Sequence, residues 1–239
     1  MLFPALIPVG ELEKLDYFKN FPHLALVASR IVPKRLEEHY AKGGAVSEDI
    51  PNTDLACGRY VLPSAACYNI YLHLQGTTVV GPRYITTVAT CFRNESSFNE
   101  LQRLWSFSMR EIVCLGSAEQ VKQHLTSFKE RILRFTSDLG IALTDEIASD
   151  PFYQPQSSIA KLQKLFPQKE EMVYSGSLAI ASLNFHRNFF GERCQIKTAD
   201  GMPAFTGCVA FGIERWLHTL LDRFGGDASA ALAAIDRIA

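Results

Sequence analysis

The chain has 239 residues, 47% hydrophobic and 21% charged, with a formal net charge of -1; this composition suits one well-packed globular domain, 1–239, without a dense basic run for nucleic acid. The apolar opening MLFPALIPVG is short, lacks a basic leader and runs into the charged GELEKLDYFK, which argues against a signal peptide or membrane span and for a cytoplasmic protein. The cysteines at 57, 67, 91, 114, 194 and 208 include no CxxC pair, so free thiols or dispersed metal ligands are expected instead of a disulfide framework.

In chain order, Pro/Gly-bearing stretches near 42–52 and 148–157 read as loops. Between them, YITTVATCFR from Tyr84 to Arg93 is β-branched and aromatic. From Trp105 to Val113 alternation places Trp105, Phe107, Met109, Glu111 and Val113 on one strand face. The two runs read as antiparallel strands joined by a long loop. Ser117 with Gln120 then makes a capping box, and Val121, Leu125, Phe128, Ile132 and Phe135 form the apolar stripe of a helix that stops near Gly140. LAIASLNFH and RCQIKT read as strands, and CVAFGIERWLHTLLDRFGG as a strand or turn feeding a helix closed by its glycines. The sum is an α+β layout, a mostly antiparallel sheet flanked by helices.

Phe92-Arg93-Asn94-Glu95 ends the first of these strands, and alternation puts Arg93 and Glu95 on one face. A guanidinium there can hold a phosphate bidentately, and a carboxylate two residues on can accept from an exocyclic amine. Taken alone, the string more often describes an ordinary surface ion pair. On the returning strand, Arg103 sits at the loop end, Phe107 offers an apolar face to a purine and Glu111 points the same way. Phe211-Gly212-Ile213-Glu214-Arg215-Trp216 sets a glycine before a helix start, where phosphate can be received, with Arg215 in the first turn.

CFRNE followed by RLWSFSMRE resembles motif 2 of class II aminoacyl-tRNA synthetases, and AFGIERW resembles their motif 3. The wider set LPSAACYNIYLHLQG, SFSMREIVCLG, SDPFY, SLNFHRNFFG and FTGCVAFGIERW resembles the amino acid:[carrier protein] ligases, relatives of the methanogen-type seryl-tRNA synthetases, from about Phe3 to about Gly225. The resemblance implies the class II catalytic fold. It implies that Arg93 binds the α-phosphate of ATP, that Glu95 binds the adenine amine, that Arg103 lies near the terminal phosphates, and that Phe107 and Arg215 sandwich the adenine. It further implies a zinc ion held by Cys67, Glu111 and Cys208, a set that spacing alone does not nominate. Asn184 and His186 match an N-x-H of the family and are amino-acid-binding candidates, although a structural histidine fits equally. In Lys169, Glu170 and Glu171 a solvated charge run is the ordinary reading, and the glutamates are candidates to assist Mg²⁺.

Two thiolates and a carboxylate leave a fourth zinc position for a substrate α-amine, which suits glycine, alanine or serine. The implied reaction is formation of an aminoacyl-adenylate with Arg93 and Arg215 as catalytic residues, then transfer to the phosphopantetheine thiol of an acyl carrier protein, without tRNA. A minimal aminoacyl-tRNA synthetase and a non-catalytic paralogue that binds ATP or amino acid are the competing functions. A homodimer is expected because GELEKLDYFKNFPHL is similar to the dimer-forming motif 1. Lys122, Lys129, Arg131, Lys161 and Lys164 are cations available for a few rim contacts with a carrier protein, and for most of them solvation is the default expectation.

Overall fold

The structure is a computed structural model that describes residues 1–44, 48–157, 161 and 168–238. Residues 45–47, inside the expected 42–52 loop, and Lys164 lie outside the described residues. The amino-terminal part carries β1 (Ile7–Pro8), α1 (Val9–Lys14), α2 (Tyr17–Asn20), β2 (Leu26–Ala28), α3 (Pro33–Glu38), β3 (Tyr60–Leu62), α4 (Tyr68–His73) and β4 (Thr78–Val79). The central part carries β5 (Arg83–Phe92), β6 (Ser106–Gly116), α5 (Ala118–Asp138), β7 (Leu143–Ala148), β8 (Lys169–Tyr174) and β9 (Leu178–Arg187). The chain closes with α6 (Phe189–Arg193), β10 (Lys197–Thr198), β11 (Phe205–Gly212), α7 (Ile213–Arg223) and α8 (Ala228–Asp236).

Six strands form the main sheet in the order β5-β6-β11-β9-β8-β7, with every neighbouring pair antiparallel. Period-two alternation divides its residues between two faces. Cys114, Val209, Leu183, Ala181 and Met172 pack under Val121, Leu125 and Ile132 of α5. Val113, Cys208 and Ala210 belong to the other core, shared with Cys67, Ile70 and Tyr71 at α4 and with Phe190 of α6. Gly207 shows how closely α5 lies: a Cβ there would come 2.5 Å from Val121 Cγ1 and 3.1 Å from Asn184 O.

The helix expected after Ser117 forms with both halves of its capping box, Gln120 N donating to Ser117 Oγ at 3.2 Å and Ser117 N to Gln120 Oε1 at 2.9 Å. It closes at Gly140, whose φ of +67° is open to a residue without Cβ. RCQIKT departs from expectation. Its first residue ends helix α6 and only Lys197–Thr198 is strand, because α6 backs onto the 196–204 turn so tightly that a Cβ on Gly191 would lie 2.2 Å from Ala204 O. Strands β7 and β8 were not foreseen. KEEMVY conceals its alternation, since Glu170 on the far face is itself charged and pairs with Lys129 of α5 at 2.6 Å.

Candidate active site

The sheet register builds the site in rows. Glu111 of β6 faces Ala210 of β11, which faces Ser182 of β9, which faces Glu171 of β8. One pleat along, Val113, Cys208, Asn184 and Lys169 form the parallel row. Cys67, the residue before α4, covers this face, so that one donor atom from each of Cys67, Glu111 and Cys208 lies within 4.8 Å of the others, all three residues buried. Its outermost members, Cys67 and Cys208, stand 141 positions apart in the sequence, which is why spacing cannot reveal the set.

Glu111 is fixed at both oxygens: Ala66 N donates to Oε1 at 2.8 Å and Cys208 Sγ to Oε2 at 2.9 Å. Its hydrogen bond with Cys208 pulls the Cys67 thiol down, yet burial and the Glu111 carboxylate outweigh this and raise it to about 11. Burial, then the bond with Cys67 and the Glu111 charge, push Cys208 well above the usual thiol value. Burial and the neighbouring carboxyl group thus favour the protonated form of both thiols. Two soft sulfur donors and one oxygen in a buried setting suit zinc, whose charge would displace the thiol protons. The residues present therefore fit the ion.

This cluster forms part of the wall of a cavity of about 340 Å³, near the lower end of ~300–1,000 Å³ for small-molecule sites. Tyr17, Tyr68, Phe152, Phe189 and Phe190 supply aromatic walls, with Asn184 and His186 among the polar lining. Asn184 Nδ2 donates to Ser182 Oγ at 3.1 Å and Cys208 O at 3.4 Å, tying it to the donor row. His186 Nδ1 lies 3.3 Å from the Tyr71 hydroxyl and 3.4 Å from the Thr206 hydroxyl. Burial drives its imidazole down to about 4, against the weaker opposing charge of Asp150. The ring is therefore neutral at physiological pH.

A second cleft, about 100 Å³, adjoins the first and is lined by Arg93, Glu95, Arg103, Phe107, Glu171, Glu214 and Arg215 among others. The two strings noted in the sequence thus meet on one face. Arg93 Nε donates to Ser64 O at 3.2 Å, and its guanidinium carbon lies 4.9 Å above the Phe107 ring. Arg215 Nε donates to Gln102 O and its Nη1 to Ala179 O, both at 2.9 Å. Burial first, then Arg93 and Arg103, lower its pKa. Glu95 accepts from Arg103 Nη1 at 2.6 Å, and its backbone oxygen from Trp105 Nε1 at 2.7 Å. Glu214, one residue before Arg215, receives Ser108 N at both oxygens, 2.8 and 2.9 Å, and thereby pins the start of α7 to β6.

Of the α5 cations named from the sequence, Lys122 and Arg131 are exposed, in keeping with the solvated reading, and only Lys129 is held in ion pairs. Lys122 lies over Phe185 at 5.7 Å, Arg131 over Phe128 at 5.5 Å, and Lys129 pairs with Asp145 and Glu170. All six cysteines are free thiols. No described helix is long and apolar enough to cross a membrane.

Residues 63–224 match the tRNA synthetase class II core domain (G, H, P, S and T). The chain is 33% identical to amino acid--[acyl-carrier-protein] ligase 1 of Bradyrhizobium diazoefficiens, over 95% of this chain and 72% of that protein. It is 25% identical to the type-2 serine--tRNA ligase of Methanothermobacter thermautotrophicus, over 94% of this chain and 47% of the relative. Among solved structures, M. kandleri SerRS, in complex with A. aeolicus tRNASec, superposes with a TM-score of 0.80 at 21% identity, covering 99% of this chain and 51% of that one. The chain thus spans about half of these serine ligases, and the superposition bears on fold alone. A core-domain match across most of the chain and a third of positions shared with the Bradyrhizobium ligase place the chain in the class II synthetase-like family of amino acid--[acyl-carrier-protein] ligases.

Proposed function

We propose that the chain activates a small amino acid with ATP and transfers it to the phosphopantetheine thiol of an acyl carrier protein. One observation carries the reading: the cavity with the three-donor cluster and the cleft with the two motif arginines share a wall of Arg93, Met109, Lys169, Ser182 and Ala210. An amino acid in the first and ATP in the second would meet there, carboxylate against α-phosphate. Holding both reactants in register replaces an encounter in solution, which is how adenylation is accelerated without a protein nucleophile.

In this reading Arg93 and Arg215 take up charge that develops on the phosphates. Phe107 and Arg215 hold the adenine, Glu95 accepts from its amine, and Arg103 turns from Glu95 toward the terminal phosphates. Cys67, Glu111 and Cys208 would hold zinc, a Lewis acid that fixes a substrate amine at its open position. Glu171 and Glu214 are carboxylates within reach of a nucleotide-bound Mg²⁺. Asn184 and the neutral His186 shape the amino-acid cavity, and its aromatic walls favour glycine, alanine or serine.

The proposed acceptor is a carrier protein because the curated ligases sharing most of this chain bear that activity in their names. A minimal aminoacyl-tRNA synthetase is the alternative that the serine ligases keep open. A cytoplasmic homodimer completes the proposal. Tyr84 and Val88 stand exposed on edge strand β5, and Met1 bonds Thr86 O of that strand at 2.7 Å, bringing exposed Leu2 beside them. Light scattering should report two chains per particle, and a monomer with full activity would remove the dimer from the proposal. With labelled amino acid, ATP, total tRNA and holo carrier protein, the label should reach the carrier as a base-labile thioester. Charging of tRNA alone would decide for the synthetase.

A further inference from the structure

The charge run Lys169-Glu170-Glu171 is divided by the pleat of β8. Glu170 points away to Lys129, whereas Lys169 and Glu171 face the site, with Lys169 opposite Asn184 in register. Five described residues line both the donor cavity and the nucleotide cleft, and the charged ones are two cations, Arg93 and Lys169. The Lys169 side chain is only 15% exposed and its ammonium lies 2.9 Å from Glu171 Oε1 and 3.4 Å from Asp150 Oδ1. Sequence reasoning assigns this lysine to solvent; the sheet places it at the junction.

We propose that Lys169 is a catalytic residue of adenylation, its ammonium contacting the amino-acid carboxylate as that group approaches the α-phosphate; this rests on the activation reading above. Two anions must be brought within bonding distance, and their repulsion is strongest in a site drained of water. Arg93, already turned toward Ser64 O and stacked on Phe107, serves the phosphate side of the junction. Lys169 stands on the same wall, and a flexible ammonium suits a carboxylate that moves as it reacts. In the step, a carboxylate oxygen bonds to the α-phosphorus and the bond from that phosphorus to the pyrophosphate oxygen breaks. Pyrophosphate leaves with the electron pair, and no proton is transferred. Asp150 and Glu171 hold the ammonium in place before the substrate arrives, so the buried charge is never left unpaired.

The test uses the full chain with zinc supplied, glycine, alanine and serine in ATP/pyrophosphate exchange, and ATP binding by equilibrium dialysis. Lys169→Met should lower kcat about 100-fold, the scale of one electrostatic group in a closed site, with ATP binding changed less than about threefold. Lys169→Arg, which keeps the charge, should recover at least about tenfold of that loss. Lys129→Met, which unties the same strand from α5, is the control and should leave exchange intact. Retention of more than a third of wild-type kcat by Lys169→Met overturns the proposal. So does a loss of ATP binding and thermal midpoint shared equally by the Met and Arg variants, which would make the lysine a strut. If Lys169→Met does not fold, Lys169→Gln carries the same comparison. Wild-type protein that exchanges none of these amino acids refutes the activation reading itself, and the role of the lysine falls with it.

Discussion

The cleft of the two motif arginines and the donor cavity lie on one face of one sheet, yet their charges are held differently. In the cleft, Arg103 is half exposed and paired with Glu95, while Arg93 and Arg215 are anchored to backbone oxygens and a ring. In the cavity, Glu111 is 3% exposed, Cys208 1% and Cys67 6%, and each depends on the others. Loss of one arginine from the cleft leaves one or two oxygens without their donor. Loss of one donor from the cavity leaves buried polar atoms with no replacement, a far costlier outcome.

The largest effect should therefore come from the cavity. Cys67→Ser or Cys208→Ser should reduce bound zinc from about one ion per chain to below ~0.1, since zinc coordination is folding free energy as well as chemistry. Exchange should fall by more than ~100-fold in the same proteins. Elemental analysis of active wild-type protein showing no zinc would break the contrast, leaving the three donors as an ordinary buried hydrogen-bonded cluster.

Arg93→Ala and Arg215→Ala come next, each removing on the order of 3 kcal/mol of transition-state stabilisation and so about 100-fold in exchange with every amino acid. Unlike the cysteine variants, these proteins should keep their zinc and thermal midpoint. An arginine variant with near-normal turnover would mean that the motif 2 or motif 3 assignment is misplaced.

The same contrast explains what the sequence could disclose. The cleft is written in short strings, CFRNE and FGIERW, because a strand end and a helix start each place two or three functional groups together locally. The capping box at Ser117 and the stripe of α5 were legible for the same reason. Cys67, Glu111 and Cys208 converge only through the pairing of β6 with β11 and the cover of α4, information that no local pattern contains; the family resemblance supplied it. Lys169 was hidden differently. Its neighbours Glu170 and Glu171 make the strand look like a solvated run, and its inward direction follows from the register with Asn184. The helix at 189–193 escaped notice because Gly191 serves a tight contact with Ala204 O and not a turn.

A pH experiment separates the buried His186 of the cavity from the rest of the chain by about 1–2 kcal/mol. Because burial holds His186 near 4 in the folded protein against an ordinary 6.5, the unfolded chain binds more protons between those values. Its contribution to stability is thus full above about 6.5 and is lost as pH falls toward 4. Urea unfolding at pH 7 and pH 5 should show wild type losing more stability than His186→Gln, in which the donor cluster and its own acid sensitivity are unchanged. Equal losses would mean that the imidazole is hydrated.

The smallest effect belongs to the least polar contact of the cleft. The Phe107 ring carries the Arg93 guanidinium on one side, 4.9 Å from its centre, an interaction worth about 0.5–1 kcal/mol where solvent reaches it. A stacked base would gain about 1–3 kcal/mol from an aromatic platform, so the ring has more to offer adenine than it offers the arginine. Phe107→Leu preserves apolar volume while removing the π-face. The expected result is a rise of about five- to tenfold in the KM for ATP with kcat nearly unchanged, because stacking on adenine is equal before and during reaction at the distant α-phosphorus. Zinc content should not move. If kcat falls instead and KM holds, the ring acts by aiming Arg93 at the phosphate, and the platform for adenine must be sought on the Arg215 side of the cleft.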